Sequence, residues 1–170
     1  MKFLFLLPLV LGPPVAFAQP SGRVAVRLEV LPIALRVTVT SAEMDFARQR
    51  ADAGRVRLDP ATGDISSKVS GAHRLGEIRL TGPPHGAFAV DVSSVPQLLG
   101  TSVPVGFRLL WAKSARCGPG GYETLPGVRT ARGILGETGC ASLRFGGTVD
   151  LAGAPEGSYE GSLHVSIVPL

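Results

Sequence analysis

A period-two alternation of apolar and polar residues recurs along this chain and constrains its fold more than any other feature. In the stretch Val24–Val30, for example, every second residue is apolar, and Arg27 and Glu29 lie between. This spacing places one row of side chains on a core and the other in water, as in an antiparallel strand with one solvated face. The same alternation occurs at Leu35–Val39, Val56–Leu58, Ile78–Leu80, Phe88–Val92, Leu143–Phe145, Val149–Leu151 and Tyr159–Ile167.

Turn-forming residues separate these stretches and leave little room for helix. The chain has 22 Gly and 14 Pro, and both residue types interrupt helices. The best helical candidate is Ser41–Arg50, where Met44 and Arg48 lie one turn apart, although Met44–Phe46 fits a strand equally well. Short strands with frequent turns predict an all-β fold, an antiparallel β-sandwich. A closed barrel is the alternative, because alternation does not fix which strands pair.

The N-terminal residues have the pattern of a cleaved signal peptide. Lys2 supplies a positive charge, Phe3–Leu11 is largely apolar, and Ala16–Ala18 presents the small residues that a signal peptidase accepts. The apolar run is shorter than the roughly 20 residues that a membrane-spanning helix needs. The sequence therefore predicts a signal peptide at residues 1–18 and a single secreted domain at residues 19–170, with no transmembrane segment in the mature chain.

The two cysteines, Cys117 and Cys140, are predicted to form a structural disulfide. Disulfides persist outside the cytoplasm, and closing a loop of about two dozen residues contributes roughly 3 kcal/mol in the chain-entropy model. The enclosed segment is rich in glycine, which loses much conformational entropy on ordering. We therefore interpret Cys117–Cys140 as a stapled glycine-rich loop, with a free thiol pair or metal ligation as the alternatives.

The charge pattern does not favour nucleic-acid binding. The formal net charge is +4, but the arginines are scattered, with only partial clusters around Arg55 and Arg129. Nucleic-acid binders concentrate basic charge and interleave it with aromatic residues for stacking. Only one Trp, two Tyr and seven Phe occur in the whole chain. The excess charge is therefore interpreted as a solvated basic surface.

No residue pattern points to catalysis, to a metal or to a cofactor. None of His73, His85 and His164 has another histidine or a cysteine at a metal-ligand spacing. The G-x-S-x-G signature of esterases does not occur, and Gly118–Tyr122 lacks the Lys-Ser/Thr that completes a phosphate-binding loop. We therefore predict that the protein is not an enzyme and holds no cofactor.

Two local features carry further predictions. The stretch Phe107–Trp111 has the pattern of a strand that enters the core, so Trp111 is predicted to fill the core rather than to stack on a sugar. Gly146 and Gly147 lie inside a strand pattern that runs from Phe145 to Val149. Glycine in a strand interior marks a bulge or a close backbone approach, which predicts a kinked strand here rather than a loop.

The C-terminal quarter resembles a bacterial secreted family, domain of unknown function 4402, which is similar to fimbrial and spore-coat-U-type β-sandwich proteins. The resemblance rests on a glycine-glycine strand, a proline-glycine turn, a glycine-small-tyrosine-x-glycine step and a final alternating strand. Upstream, hydrophobic-Asp-Phe and strand-turn elements also resemble the family, although Ala47 replaces its usual glycine. The segments concerned are Met44–Ala47, Gly54–Pro60, Leu80–Pro84, Leu143–Val149, Ala154–Gly161 and Leu163–Ile167.

The resemblance implies an immunoglobulin-like sandwich in the periplasm or at the cell surface, and no active site to carry over. It also makes the Cys117–Cys140 segment look like an insertion and the Val24–Val30 alternation unusual. We expect a non-catalytic structural or adhesive surface protein, a fimbria-like subunit that binds other copies of itself or envelope proteins. Val24–Val30 is most simply a first strand of its own domain; alternatively, it is a donor that completes a neighbour's sheet.

A second hypothesis from a different class is a monomeric module that binds a glycan or an envelope protein through the Cys117–Cys140 loop. This hypothesis expects Tyr122 and Trp111 to converge with Arg129 or Arg132 on one exposed surface. Aromatic rings next to charged groups are a common surface for sugars. The position of Trp111 decides whether such a surface forms.

Overall fold

Ten β-strands and no helix form the part of the chain that the structure, a computed structural model, describes: residues 35–49, 53–66, 72–94, 97–100, 104–125 and 127–170. The predictions for the signal peptide and for Val24–Val30 lie outside these residues. The strands are β1 (Arg36–Ser41), β2 (Arg55–Leu58), β3 (Gly76–Thr81), β4 (Ala87–Ser94), β5 (Gln97–Leu98), β6 (Val105–Ser114), β7 (Glu123–Thr124), β8 (Thr130–Ile134), β9 (Cys140–Asp150) and β10 (Leu163–Pro169). The predicted all-β class is confirmed. The same residues contain no helix long and apolar enough to cross a membrane.

The strands form two antiparallel sheets. The larger sheet has the order β1-β3-β9-β6-β5, with β2 also paired to β9 and β7 also paired to β6. The smaller sheet has the order β10-β4-β8. Strand β9 is the centre of the larger sheet, because β6 runs along one of its edges while β3 and β2 share the other.

One core cluster joins the two sheets and contains the side chains that the alternation predicts. Phe88, Val90 and Val92 of β4 are 1% exposed, and they belong to the same cluster as Trp111 of β6, which is also 1% exposed. Burying side chains of this size stabilises a fold by about 1.5–3 kcal/mol each. The prediction that Trp111 fills the core is confirmed. A second cluster, around Val56 and Phe107, lies toward the other end of the larger sheet.

The helical candidate Ser41–Arg50 is not a helix over its described residues. Strand β1 ends at Ser41, and Asp45 then forms an isolated antiparallel bridge with Arg74, with N–O distances of 2.8 and 2.9 Å. The Asp45 carboxylate accepts a hydrogen bond of 2.7 Å from the Ala47 N–H, and Ala47 has a φ of 56°. This left-handed turn is incompatible with a continuous right-handed helix.

The Cys117–Cys140 segment, predicted as a glycine-rich loop, contains two strands, β7 and β8. Strand β8 is an edge of the smaller sheet, and Leu135, which follows it, is 1% exposed in the shared core. The alternation of β8 is not visible in the sequence, because Gly133 occupies an inward position. A Cβ at Gly133 would lie 2.8 Å from Cε2 of Phe88, so the aromatic ring fills the space of the absent side chain.

The strand predicted across Gly146 and Gly147 is confirmed as part of β9. Its register with β6 is continuous from Ser142 to Asp150, so the glycines do not form a bulge there. On the opposite edge, β3 pairs with β9 as far as Phe145 and β2 begins to pair at Gly147. Gly146 therefore lies where two neighbouring strands meet end to end, and the absence of a side chain permits their close approach.

Candidate functional site

An open groove lies on the outer face of the larger sheet, the face that points away from the shared core. Its volume is about 730 Å³. The walls come from the end of β1, from the turn at Gly63 and from the segment before β3, while side chains of β3 and β9 form the floor. The described residues that line it are Thr40, Ser41, Ala42, Glu43, Gly63, His73, Arg74, Leu75, Glu77 and Arg144.

The floor of the groove is an ion pair between Glu77 of β3 and Arg144 of β9. These residues are direct cross-strand partners, and their neighbours Ile78 and Leu143 point into the core. Alternation therefore places Glu77 and Arg144 together on the outer face. The Arg144 Nε donates a hydrogen bond of 3.2 Å to Glu77 Oε2, and the side chains are 20% and 22% exposed.

Tyr122 fixes the guanidinium of this ion pair from the side. The Arg144 Cζ lies 4.2 Å from the centre of the Tyr122 ring, a cation–π contact of about 0.5–1 kcal/mol. Two hydroxyls hold the preceding loop against the outer face: Ser114 donates to the Gly120 carbonyl at 3.2 Å, and Ser142 donates to the Arg116 carbonyl at 2.8 Å.

The walls of the groove carry a second pair of opposite charges. Arg74 Nη1 lies 3.9 Å from Glu43 Oε2, and both side chains are largely exposed. His73 Nε2 lies 2.8 Å from the Gly63 carbonyl oxygen, which joins the segment before β3 to the turn after β2. Among the lining residues that the structure describes there are two carboxylates and two guanidinium groups, and the charges of these four groups balance.

The turn that carries Gly63 is stabilised by Asp59. The Asp59 carboxylate accepts hydrogen bonds from the Ala61 N–H at 2.9 Å and from Arg57 Nη2 at 2.7 Å. Partial burial raises the pKa of the Asp59 carboxyl, but the hydrogen bonds from Ala61, Arg57 and Thr62 outweigh it and lower the pKa below its ordinary value of 3.8. The charged form of Asp59 thus favours the folded turn.

Asp59→Asn is expected to lower the free energy of unfolding by about 1 kcal/mol at neutral pH. Because folding lowers the pKa, the charged Asp59 stabilises the protein above pH 3.8, and this contribution is lost as the pH falls through the folded pKa. Urea unfolding of the wild type and the variant, in steps down to about pH 2, measures the difference. Asp64→Asn is the control, because the Asp64 carboxylate accepts none of these hydrogen bonds. A difference that stays constant over this pH range would contradict the prediction.

The structure separates the residues that the glycan hypothesis expects to converge. Trp111 is buried, and its Nε1 donates a hydrogen bond of 2.7 Å to the Val128 carbonyl. Tyr122 lies beside the groove on the larger sheet, whereas Arg132 is on β8 of the smaller sheet. A binding surface that contains both Trp111 and Tyr122 is therefore not formed.

The cysteines and histidines occupy separate places. Cys117 and Cys140 lie at disulfide distance, with their Cα atoms 5.5 Å apart. His85 lies in the turn before β4 with a φ of 60°, and His164 is an exposed residue of β10. Over the ranges that the structure describes, no three His, Cys, Asp or Glu side chains lie close enough together to hold a metal ion.

Comparison of the chain with protein-family models, with curated proteins and with solved structures finds no match in any of the three.

The sequence gives no sign of the Glu77–Arg144 pair, which is the centre of the groove. The two residues are 67 positions apart, and no local motif links them. The alternation does indicate that each points away from the core. Only the register between β3 and β9 brings them together.

Proposed function

We propose that this protein is a non-catalytic, secreted structural or adhesive surface protein of a bacterium, a fimbria-like subunit with an immunoglobulin-like sandwich. Its copies associate by strand addition, in which an extended segment of one copy pairs with a free sheet edge of the next. One observation carries the proposal: β10 is a long edge strand with an unbroken register and no charged residue.

The β10 edge combines a buried apolar row with an unpaired backbone. Leu163, Val165 and Ile167 are between 3% and 8% exposed, so this face of the strand is anchored in the core. All seven residues pair with β4 in an unbroken register. Among the described residues, nothing pairs with the opposite side of β10. The strand contains no Lys, Arg, Asp or Glu, and its one proline, Pro169, is its last residue, so the edge from Leu163 to Val168 lacks these protective residues.

The other edges are protected or short. Strand β1 begins at Arg36 and has an irregular register between Val39 and Ser41, and such irregularities discourage pairing. Strands β5 and β7 have only two residues each, and β2 has four, the last of which, Leu58, forms a bridge with Ile65. Strand β8 carries Arg132 and the strand-weakening Gly133. Of the edge strands that the structure describes, β10 is thus the best template for an added strand.

The hydrogen-bonding pattern identifies the groups that an added strand would use. The Leu170 N–H donates to the Ala87 carbonyl at 3.0 Å. In an antiparallel pair, every second residue of a strand bonds the neighbouring strand. Leu170 bonds β4, and the even-numbered residues of β10 do so as well. The backbone N–H groups of Leu163, Val165 and Ile167 therefore point away from β4. The segment Val24–Val30 has the alternation that a partner for this edge needs, with an apolar residue at every second position. We assign it, from a neighbouring copy, as the occupant.

Two further features support the secreted, surface-exposed character of this proposal. The first 18 residues have the pattern of a signal peptide. The disulfide-distance pair Cys117 and Cys140 suits an oxidising compartment.

We expect the precursor, expressed in an oxidising periplasm, to give a mature chain that begins at Gln19 and forms multimers. Deleting Gln19–Val30 should convert these multimers to monomers, because the donor strand is lost. The double substitution Ser166→Lys and Val168→Lys should also reduce multimers, because lysine on the exposed row of an edge strand opposes pairing. Light-scattering chromatography with intact mass measures both results.

The matched control for the lysine variant is Ile134→Lys. Ile134 is 59% exposed on β8, at the opposite edge of the same sheet. This variant should leave the multimers unchanged. A wild-type monomer, or multimers that survive the deletion of Gln19–Val30, would rule out strand addition at β10. A monomer would instead favour the binding-module hypothesis.

A further inference from the structure

We propose that the groove over Glu77 and Arg144 binds a neutral saccharide. This inference goes beyond the proposed function, because the groove lies on the larger sheet and does not include β10. The glycan surface that the sequence predicts around Trp111 does not form. The groove is a different surface, and Tyr122 is the one residue that both include. Charge, hydrogen-bonding capacity and rigidity support the assignment.

The charge balance among the described residues of the groove selects a neutral ligand. Glu77 is matched by Arg144 at 3.2 Å, and Glu43 faces Arg74 at 3.9 Å. A strongly anionic ligand would lie next to both carboxylates, and a cationic one next to both guanidinium groups. Each would incur repulsion that offsets its attraction to the opposite charge. A neutral ligand with many hydroxyls avoids this cost.

The floor retains hydrogen-bonding groups that match sugar hydroxyls. Within the described residues, the ion pair uses the Arg144 Nε and Glu77 Oε2. The Glu77 Oε1 and the terminal guanidinium nitrogens of Arg144 are not among the atoms of this bond, and no described polar side-chain atom is both buried and unpartnered, so these atoms can accept from and donate to a ligand. A sugar hydroxyl both donates and accepts, so neighbouring carboxylate and guanidinium groups can engage one ring together. Hydrogen bonds to charged groups are stronger than those between neutral ones.

The floor is also held in place before a ligand arrives. Cross-strand pairing fixes Glu77 opposite Arg144, and the Tyr122 ring covers the guanidinium at 4.2 Å. Side chains that are already ordered lose little entropy on binding, and this improves affinity. A volume of about 730 Å³ lies within the range of small-ligand sites and accommodates a short oligosaccharide.

The test is a glycan array on the mature protein, followed by calorimetric titration of the neutral oligosaccharides that bind. The array includes neutral oligomers of glucose, galactose, mannose and N-acetylglucosamine, and, as anionic arms, heparin fragments and oligogalacturonate. We expect binding to neutral oligomers only. Glu77→Gln should weaken that binding at least tenfold, because it removes the charged acceptor and leaves Arg144 without its partner.

Tyr122→Phe and Tyr122→Ala separate the contributions of this side chain. The Phe variant keeps the ring over Arg144 and should bind nearly as well as the wild type, whereas the Ala variant loses the ring and should bind several-fold more weakly. The matched control is Asp150→Asn, which breaks the exposed Arg55–Asp150 ion pair of 3.7 Å on the same face of the same sheet. It should leave the affinity unchanged.

Circular dichroism establishes that each variant is folded before its affinity is compared. Binding to no neutral saccharide would overturn the proposal. So would binding that a folded Glu77→Gln variant retains in full, or a preference for the anionic arms.

Discussion

Replacing Gly146 with alanine is expected to lower the melting temperature of the protein by about 10 °C. A Cβ at this position would collide with the carbonyl oxygen of Leu58 and would lie 3.2 Å from Cδ of Pro60. The carbonyl belongs to the backbone at the end of β2 and cannot rotate aside as a side chain would. Overpacking of this kind costs about 3 kcal/mol, and each kcal/mol shifts the melting temperature of a domain this size by about 2–4 °C.

The matched control is Gly106→Ala, on the neighbouring strand of the same sheet. A Cβ there would meet only Cβ of Asp150, at an ordinary 3.8 Å. This variant should melt within about 1–2 °C of the wild type. Differential scanning calorimetry measures both changes. Equal melting temperatures for Gly146→Ala and the wild type would mean that β2 does not approach β9 as closely as the structure has it.

Gly147→Val tests the adjacent position through a different contact. A Cβ at Gly147 would lie 2.5 Å from Cε2 of Phe107 and 3.0 Å from the Arg108 carbonyl oxygen. The Phe107 ring belongs to the second core cluster and can move in part. We therefore expect a loss of stability of about 2 kcal/mol, smaller than that of Gly146→Ala.

The alternation predicted the strands whose inward positions carry large apolar side chains. Phe88, Val90 and Val92 form a row that is both visible in the sequence and buried in the core. The prediction is weaker at edges. Val39 belongs to an alternating stretch, yet it is 40% exposed because β1 ends the larger sheet on that side. The sequence of strand β8 does not predict a strand, because Gly133 stands where an inward apolar side chain would show the alternation.

The candidate site was less accessible to sequence reasoning than the fold. Alternation tells which way Glu77 and Arg144 point, but it does not tell that β3 and β9 are neighbours. A shift of one residue in their register would send one of the two side chains to the opposite face. Tyr122 is visible in the sequence as an aromatic residue of the Cys117–Cys140 segment, but its contact with Arg144 depends on how that segment folds back over the sheet.

Removing the disulfide is expected to lower the melting temperature by a similarly large amount. The double variant Cys117→Ala and Cys140→Ala should melt about 10 °C below the wild type, because an unlinked loop with a sequence separation of 23 residues gains unfolded-state entropy equivalent to roughly 3 kcal/mol. The substitution creates little strain in the folded state. Cys117 is partly exposed, and alanine leaves no buried polar group behind.

Reduction of the wild type provides the control for this prediction. Wild-type protein reduced under denaturing conditions and refolded with its thiols blocked from oxidation should melt close to the double variant, since both lack the covalent link. The double variant itself should not respond to reductant. If the double variant melts at the same temperature as the oxidised wild type, the link contributes nothing to stability, and the strands β7 and β8 hold the segment by their pairing alone.

The same double variant also tests the groove. Cys117 precedes Tyr122 and is tied to the start of β9, so loss of the link should loosen the ring over Arg144 and weaken the proposed saccharide binding, even at temperatures where the protein remains folded.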